Sequence, residues 1–159
     1  MEPFTFPATF PYASTTLTVD SLGVNLDVEV RVYDTLNDMR RDATLYYVYE
    51  APDSDDYPVK DANFKDSLGV TMPGRLFDRG KSRIPDYADS PHCVVFISKE
   101  SLTLEILAHE LTHAAMFLNN AYHDRKERIR IGNETVPYMV GSMLTQCEES
   151  NIIKPKENQ

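Results

Sequence analysis

The chain has 159 residues, of which 42% are apolar and 26% are charged, a composition typical of one globular domain rather than a disordered chain. Acidic residues outnumber basic ones by 25 to 16, which gives a formal net charge of −9. This charge argues against non-specific nucleic-acid binding and against a polybasic membrane patch, because both need clustered Lys and Arg.

The cysteine content and the chain ends favour an intracellular protein. Cys93 and Cys147 are too few for a disulfide framework, so two buried thiols are the favoured interpretation and a single bridge is the alternative. No apolar run is long enough to predict a transmembrane helix, and the N-terminus lacks the basic and apolar regions of a secretory signal. We therefore expect a cytoplasmic protein with a single domain, in which residues 1–13 form an extended surface arm and residues 150–159 a flexible tail.

The first regular elements predicted are two strands and a helix. Thr15 to Val19 alternates weakly, whereas Leu26 to Tyr33 alternates strictly between apolar and polar residues, which predicts a half-buried strand. The two strands can pair as a hairpin across residues 21–23. Asp34 then offers an N-cap for a helix that runs to about residue 45.

Two further strands follow, separated by polar loops. Residues 51–58 form an acidic, proline-containing loop, and Leu68 to Phe77 suits an edge strand because Pro73 cannot donate to a central ladder. After a long polar segment over residues 78–91, Cys93 to Ile97 is a continuous apolar run and indicates a buried strand. The order of strands and helices predicts an α+β fold with helices packed on a small sheet.

The next helix, which Ser98 or Ser101 can cap, carries an H-E-x-x-H motif in Ala108 to His113. Residues four apart on a helix differ by about 40° in azimuth and about 6 Å in rise, so His109 and His113 can reach one metal ion from one side. Glu110 lies one step round the helix, where it can take a proton from a metal-activated water without being a ligand. The pattern therefore predicts a catalytic zinc site.

Chance and packing are weak alternatives to a zinc site. Shuffling a chain with four His gives roughly 0.007 such matches. The histidines also lie outside the apolar stripe of their helix, so they are not simply core residues; the remaining alternative is two surface histidines. The predicted core stripe comprises Leu104, Leu107, Ala108, Leu111, Ala115 and Leu118.

A catalytic zinc site needs a third protein ligand, and the residues alone leave several candidates. The extended motif H-E-x-x-H-x-x-G-x-x-H is excluded, because Met116 and Asn119 stand where it requires Gly and His. The remaining candidates are His123, Asp124, Glu127 and Glu134.

Glu134 opens a second amphipathic segment that runs to about Glu148, with Asn133 available as its N-cap. Pro137 is compatible with this helix only in its first turn. A carboxylate at the start of a helix that returns toward the first one can face the two histidines, or it can simply favour the helix dipole. Tyr138 shares the face of Glu134 and can either donate a hydrogen bond to an oxyanion or pack between the helices.

The segment Ala108 to Ala115, followed by Asn133 to Gly141 with Glu134 and Tyr138 in it, resembles the small zincin-like metallopeptidases of the gluzincin type. Short single-domain proteins of this kind occur in bacteriophage genomes. The resemblance covers roughly residues 92–147. It implies a small twisted mixed sheet packed against the H-E-x-x-H helix and a following glutamate-bearing helix.

The resemblance also implies roles for individual residues. His109, His113 and Glu134 would bind one Zn²⁺, Glu110 would be the general base, and an edge strand such as Leu68 to Phe77 would pair with an extended peptide. The expected function is hydrolysis of peptide or isopeptide bonds, in a host cytoplasm if the protein is phage-encoded. The expected partner is a peptide or protein substrate, with no nucleic acid and no membrane.

Two other functions stay open at this point. One is a zinc-stabilised, catalytically silent binding or inhibitory protein that acts on a host partner. The other is a structural interaction domain without metal.

Overall fold

The computed structural model describes residues 10–21, 24–50, 64–74, 91–122 and 134–151. Outside these ranges lie the first nine and the last eight residues. The same holds for the predicted loop at 51–58, the end of the predicted edge strand after Gly74, and most of residues 78–91. The elements are, in chain order, β1 (Tyr12–Ser21), β2 (Val24–Tyr33), α1 (Leu36–Glu50), β3 (Gly69–Pro73), β4 (Cys93–Ser98), α2 (Leu104–Tyr122) and α3 (Thr135–Glu149). The predicted α+β class is confirmed.

The described strands form one mixed sheet of four strands in the order β1-β2-β4-β3. β1 and β2 pair antiparallel from Tyr12↔Tyr33 onward, which confirms the predicted hairpin and shows that residues 12 and 13 belong to β1, not to an arm. β2 and β4 run parallel, and β3 pairs antiparallel with β4. β3 is therefore an edge strand, as its proline predicts.

Helices cover both faces of the sheet. α2 and α3 pack on one face, where the apolar positions of β2 and the odd-numbered residues of β4 are buried. α1 packs on the other face, against Val94 and Phe96. The expected half-burial is found from Asn25 to Glu29, whose polar side chains are exposed or partly exposed, but not at the end of β2, where α1 covers the polar face and Arg31 is only 8% exposed.

The polar side chains under α1 contact one another, although the Nη1 atom of Arg31 has no hydrogen-bond partner among the described residues. The guanidinium of Arg31 pairs with Glu29 and lies 4.7 Å from the ring centroid of Tyr12. The hydroxyl of Tyr33 donates a hydrogen bond to the buried carboxylate of Asp42. Charge pairing and cation–π contact compensate for removing these groups from water, so this face is a structural core.

The N-caps of two helices differ from those predicted. Thr35, not Asp34, caps α1, because its hydroxyl accepts the N–H of Asp38, three residues on. Asp34 lies one residue too early for that geometry and pairs with Lys99 on the surface.

Neither predicted serine caps α2. Thr103 occupies the cap position, where its hydroxyl accepts the N–H of Ile106. The hydroxyl of Ser98 accepts the N–H of Glu100, and that of Ser101 donates to the carbonyl of Leu68.

None of the helices in the described part of the chain combines the length and apolar character needed to cross a bilayer.

Both cysteines are free and buried in the core under α2 and α3. Burial raises the pKa of the Cys93 thiol to about 12 and that of the Cys147 thiol to about 11. Both thiols are therefore protonated at neutral pH, as is typical of structural cysteines in a core.

Gly74 ends β3 where the chain passes close to the start of β4. A Cβ at this position would lie 1.7 Å from the carbonyl oxygen of Pro91, a backbone atom that cannot rotate away. We expect Gly74→Ala to lower the free energy of unfolding by about 2 kcal/mol or more, measured by chemical denaturation.

Gly141 is the matched control for Gly74. It lies in the interior of α3, where a Cβ would have nothing within 4 Å. Gly141→Ala should therefore raise stability by about 1 kcal/mol through helix propensity alone. Equal effects of the two substitutions would contradict the close approach at Gly74.

Candidate metal and catalytic site

Helix α2 buries one side under the sheet and presents its histidines on the other. Leu107, Leu111, Ala115 and Leu118 of the predicted stripe are buried, together with Ala114. Leu104 is 57% exposed, which corrects its predicted place in the core: it is the first residue of the helix, which follows the end of β4. His109 and His113 are exposed, as predicted for residues outside the stripe.

The two imidazoles converge on one point. Their Nε2 atoms are 3.0 Å apart, and their rings meet edge to face with centroids separated by 4.6 Å. Two nitrogens bound to one tetrahedral zinc at ordinary bond lengths are separated by about 3.3 Å. The observed contact, which is also short enough for a hydrogen bond between the rings, is a few tenths of an ångström below that separation, so the spacing and the donor type are compatible with zinc.

Glu110 faces the edge strand β3 and is only 6% exposed. The hydroxyl of Thr71 donates a hydrogen bond of 2.6 Å to its Oε2 atom. Gly69 lies against the same side chain: a Cβ there would come within 2.7 Å of the Cγ atom of Glu110. The carboxylate thus lies in a close-fitting niche made by two residues of β3.

A cavity of about 370 Å³ lies between β3 and α2, and both histidines and the glutamate open into it. Its remaining wall is a mixture of apolar and small polar side chains. The lining residues are Phe64, Ser67, Gly69 to Pro73, His109, Glu110, His113 and Phe117.

One edge of β3 has no neighbouring strand within the described part of the sheet. The N–H of Gly74 donates to the carbonyl of His92, on the β4 side. Because ladder hydrogen bonds alternate along an antiparallel strand, Gly69 and Thr71 turn their backbone N–H and C=O groups away from β4, toward the open edge. Pro73 also occupies an outward position, where its missing N–H costs no ladder bond.

Glu134 and Tyr138 lie at the start of α3, and neither lines the cavity. Glu134, not Asn133, is in the N-cap position of α3; it is exposed and its side chain makes no capping hydrogen bond. Pro137 falls in the first turn, as predicted. Tyr138 is 74% exposed, so it does not pack between the helices.

Among the described side chains, no three of the His, Cys, Asp and Glu residues form a group that could hold a metal ion. The structure brings together His109, Glu110 and His113, and Glu134 is not among the residues that line the cavity these three share. The other candidate ligands, His123, Asp124 and Glu127, lie outside the described residues. The third ligand therefore stays a prediction.

The structure adds site residues that no motif marked. Thr71 and Gly69 contact Glu110 from 39 and 41 positions away in sequence, and Phe64 lines the cavity. A threonine and a glycine on the same face of a predicted edge strand were the only signal available. Thr112, inside the motif, donates to the carbonyl of Ala108 within its own helix.

Comparison of the chain with protein-family models, with curated proteins and with solved structures finds no match.

Proposed function

We propose that the protein is a zinc-dependent hydrolase of peptide or isopeptide bonds with a zincin-like site. The observation that carries this proposal is the geometry of three residues on one turn of α2. The Nε2 atoms of His109 and His113 converge to 3.0 Å, and the carboxylate of Glu110 opens into the same cavity. Two nitrogen donors with an adjacent carboxylate are the elements that metal-assisted hydrolysis needs.

Each residue has a distinct role in this proposal. His109 and His113 hold the ion, with Glu134 as the proposed third ligand from the start of α3. Zinc, when bound, polarises the amide carbonyl and makes a water molecule more acidic. Glu110 takes the proton from the attacking water and delivers it to the leaving amine. Tyr138, whose side chain is exposed, is the proposed donor to the oxyanion.

The open edge of β3 supports a peptide as substrate. Gly69 and Thr71 turn backbone donors and acceptors toward that edge, and an extended chain can pair with them as an added strand. Such a strand would run along the cavity that contains the histidines. The amide groups of an extended peptide would therefore lie beside the proposed metal site.

The same edge supports a second candidate function, a zinc-stabilised protein that binds a peptide without cutting it. Glu110 is buried, and its Oε2 atom already accepts a hydrogen bond, as in a carboxylate with a structural role. Replacement of Glu110 separates the two candidates, because only the hydrolase needs a base at this position.

Metal removal tests the proposed reaction. We expect the purified protein to contain about one equivalent of zinc and to cleave members of an internally quenched fluorescent peptide library. Treatment with a chelator should abolish cleavage, and one equivalent of zinc should restore it. Cleavage that persists in zinc-free protein would contradict the proposal.

Replacement of Glu134 tests the third ligand. Glu134→Ala should raise the dissociation constant for zinc by on the order of tenfold or more, since a lost ligand costs at least as much as a lost supporting hydrogen bond. Glu148→Ala is the matched control, an exposed glutamate in the last turn of the same helix. Zinc titrations that give the same constant for both variants would remove Glu134 from the site.

A further inference from the structure

We propose that Thr71 is a positioning residue for the general base, and that Gly69 supplies the clearance this positioning requires. The inference rests on the proposed function, because it assigns a role to residues that contact Glu110. It concerns the edge strand β3, which carries no part of the H-E-x-x-H motif.

The hydrogen bond from Thr71 selects one carboxylate oxygen. The hydroxyl has one proton, and its oxygen lies 2.6 Å from Oε2 of Glu110 but 3.1 Å from the carbonyl oxygen of the same residue. The shorter contact goes to the side-chain carboxylate, which is the stronger acceptor. That hydrogen bond lowers the proton affinity of Oε2, so Oε1 becomes the more basic oxygen for the proton of a water molecule.

Gly69 determines whether that arrangement fits. A Cβ at this position would lie 2.7 Å from Cγ and 3.0 Å from both the carboxyl carbon and Oε1 of Glu110. Real Cβ atoms essentially never approach a heavy atom to 2.7 Å, so any larger residue would push the carboxylate out of its niche. The space left by the missing side chain of Gly69 and the hydrogen bond from Thr71 therefore hold the carboxylate of Glu110 in one position.

Thr71 also connects the base to the open edge of the sheet. Its backbone N–H and C=O face that edge, while its hydroxyl reaches Glu110. A peptide that adds to β3 would therefore pair with the same residue that orients the base. This places the proton acceptor at a fixed distance from the bound strand, which is what efficient proton transfer requires.

Substitution with an isosteric residue tests the positioning role. Thr71→Val keeps the shape of the side chain and removes the hydroxyl, whereas Thr71→Ser keeps the hydroxyl. We expect Thr71→Val to lower kcat on the fluorescent peptide library by on the order of ten- to a hundredfold, the value of a hydrogen bond to a charged group. KM and zinc content should stay unchanged, and Thr71→Ser should recover most of the rate.

Three further variants complete the set. Thr145→Val is the matched control, since the hydroxyl of Thr145 donates to the carbonyl of Gly141 within its own helix, on the exposed side of α3; it should leave kcat unchanged. Gly69→Ala should lower kcat at least as much as Thr71→Val, because it displaces the carboxylate directly. In a Glu110→Gln background, Thr71→Val should have no additional effect, because the group it positions is gone.

A crystal structure of the Thr71→Val protein gives a readout without turnover. We expect the Glu110 carboxylate to leave the position found in the wild type. An unmoved carboxylate, or a Thr71→Val enzyme with wild-type kcat beside an inactive Glu110→Gln enzyme, would overturn the positioning role while leaving the hydrolase proposal intact. If Glu110→Gln cleaves peptides like the wild type, Glu110 is not the general base, and the positioning role of Thr71 fails together with that part of the proposed function.

Discussion

Replacing Glu110 by Gln is expected to leave zinc bound at one equivalent and to lower kcat by on the order of a hundred- to ten-thousandfold. Glutamine has the size of glutamate and fits the niche made by Gly69 and Thr71, so the fold and the two histidines are preserved. An amide cannot accept the proton of the attacking water. Hydrolysis of the peptide library and zinc content are measured on the same preparation.

Glu105→Gln is the control for this experiment, because Glu105 lies in the first turn of the same helix and is exposed. It removes the same charge from α2 without touching the cavity. Wild-type turnover by both variants would contradict the role of Glu110 as the general base. If Glu110→Gln leaves peptide binding and every other measured property at the wild-type level, the zinc-stabilised binding protein is favoured.

His113→Ala is expected to release zinc from the protein. It removes one of the two nitrogens that converge to 3.0 Å, and a single imidazole holds zinc far more weakly than a chelating pair. The side chain is exposed, so the substitution leaves no cavity in the core. Metal analysis after dialysis should give less than a tenth of the wild-type zinc, with hydrolysis lost in proportion.

His92→Ala provides the contrast. His92 lies at the start of β4, where its Nδ1 atom accepts the backbone N–H of Asp27 at 2.8 Å. Its loss should lower thermal stability by the value of one hydrogen bond, about 1 kcal/mol, while zinc content stays at the wild-type level. If instead both histidine variants keep their zinc, the metal does not bind at the H-E-x-x-H turn.

The sequence patterns predicted the fold where local periodicity coincides with burial. Strict alternation from Leu26 to Tyr33 gave β2, and the apolar run from Cys93 gave β4, a strand with every residue buried. The helical spacing after Thr103 gave α2 and the outward direction of its histidines. Each of these three patterns lies within a single strand or helix, so one continuous stretch of sequence is enough to recognise it.

What the sequence did not predict depends on contacts between distant segments. Arg31 is buried because α1 covers the second face of the sheet. The alternation of apolar and polar residues within β2 predicts instead that this face is exposed to solvent. Likewise the contact between Thr71 and Glu110 forms only after β3 packs beside α2. No spacing rule encodes it.

The most direct measurement is a crystal structure of the zinc-loaded protein, with diffraction data collected above and below the zinc absorption edge. The expected result is one anomalous peak at about 2.0–2.1 Å from the Nε2 atoms of both His109 and His113, next to the carboxylate of Glu110. A zinc peak elsewhere, or two imidazoles that stay in contact with each other while zinc is in excess, would contradict a metal centre on this helix.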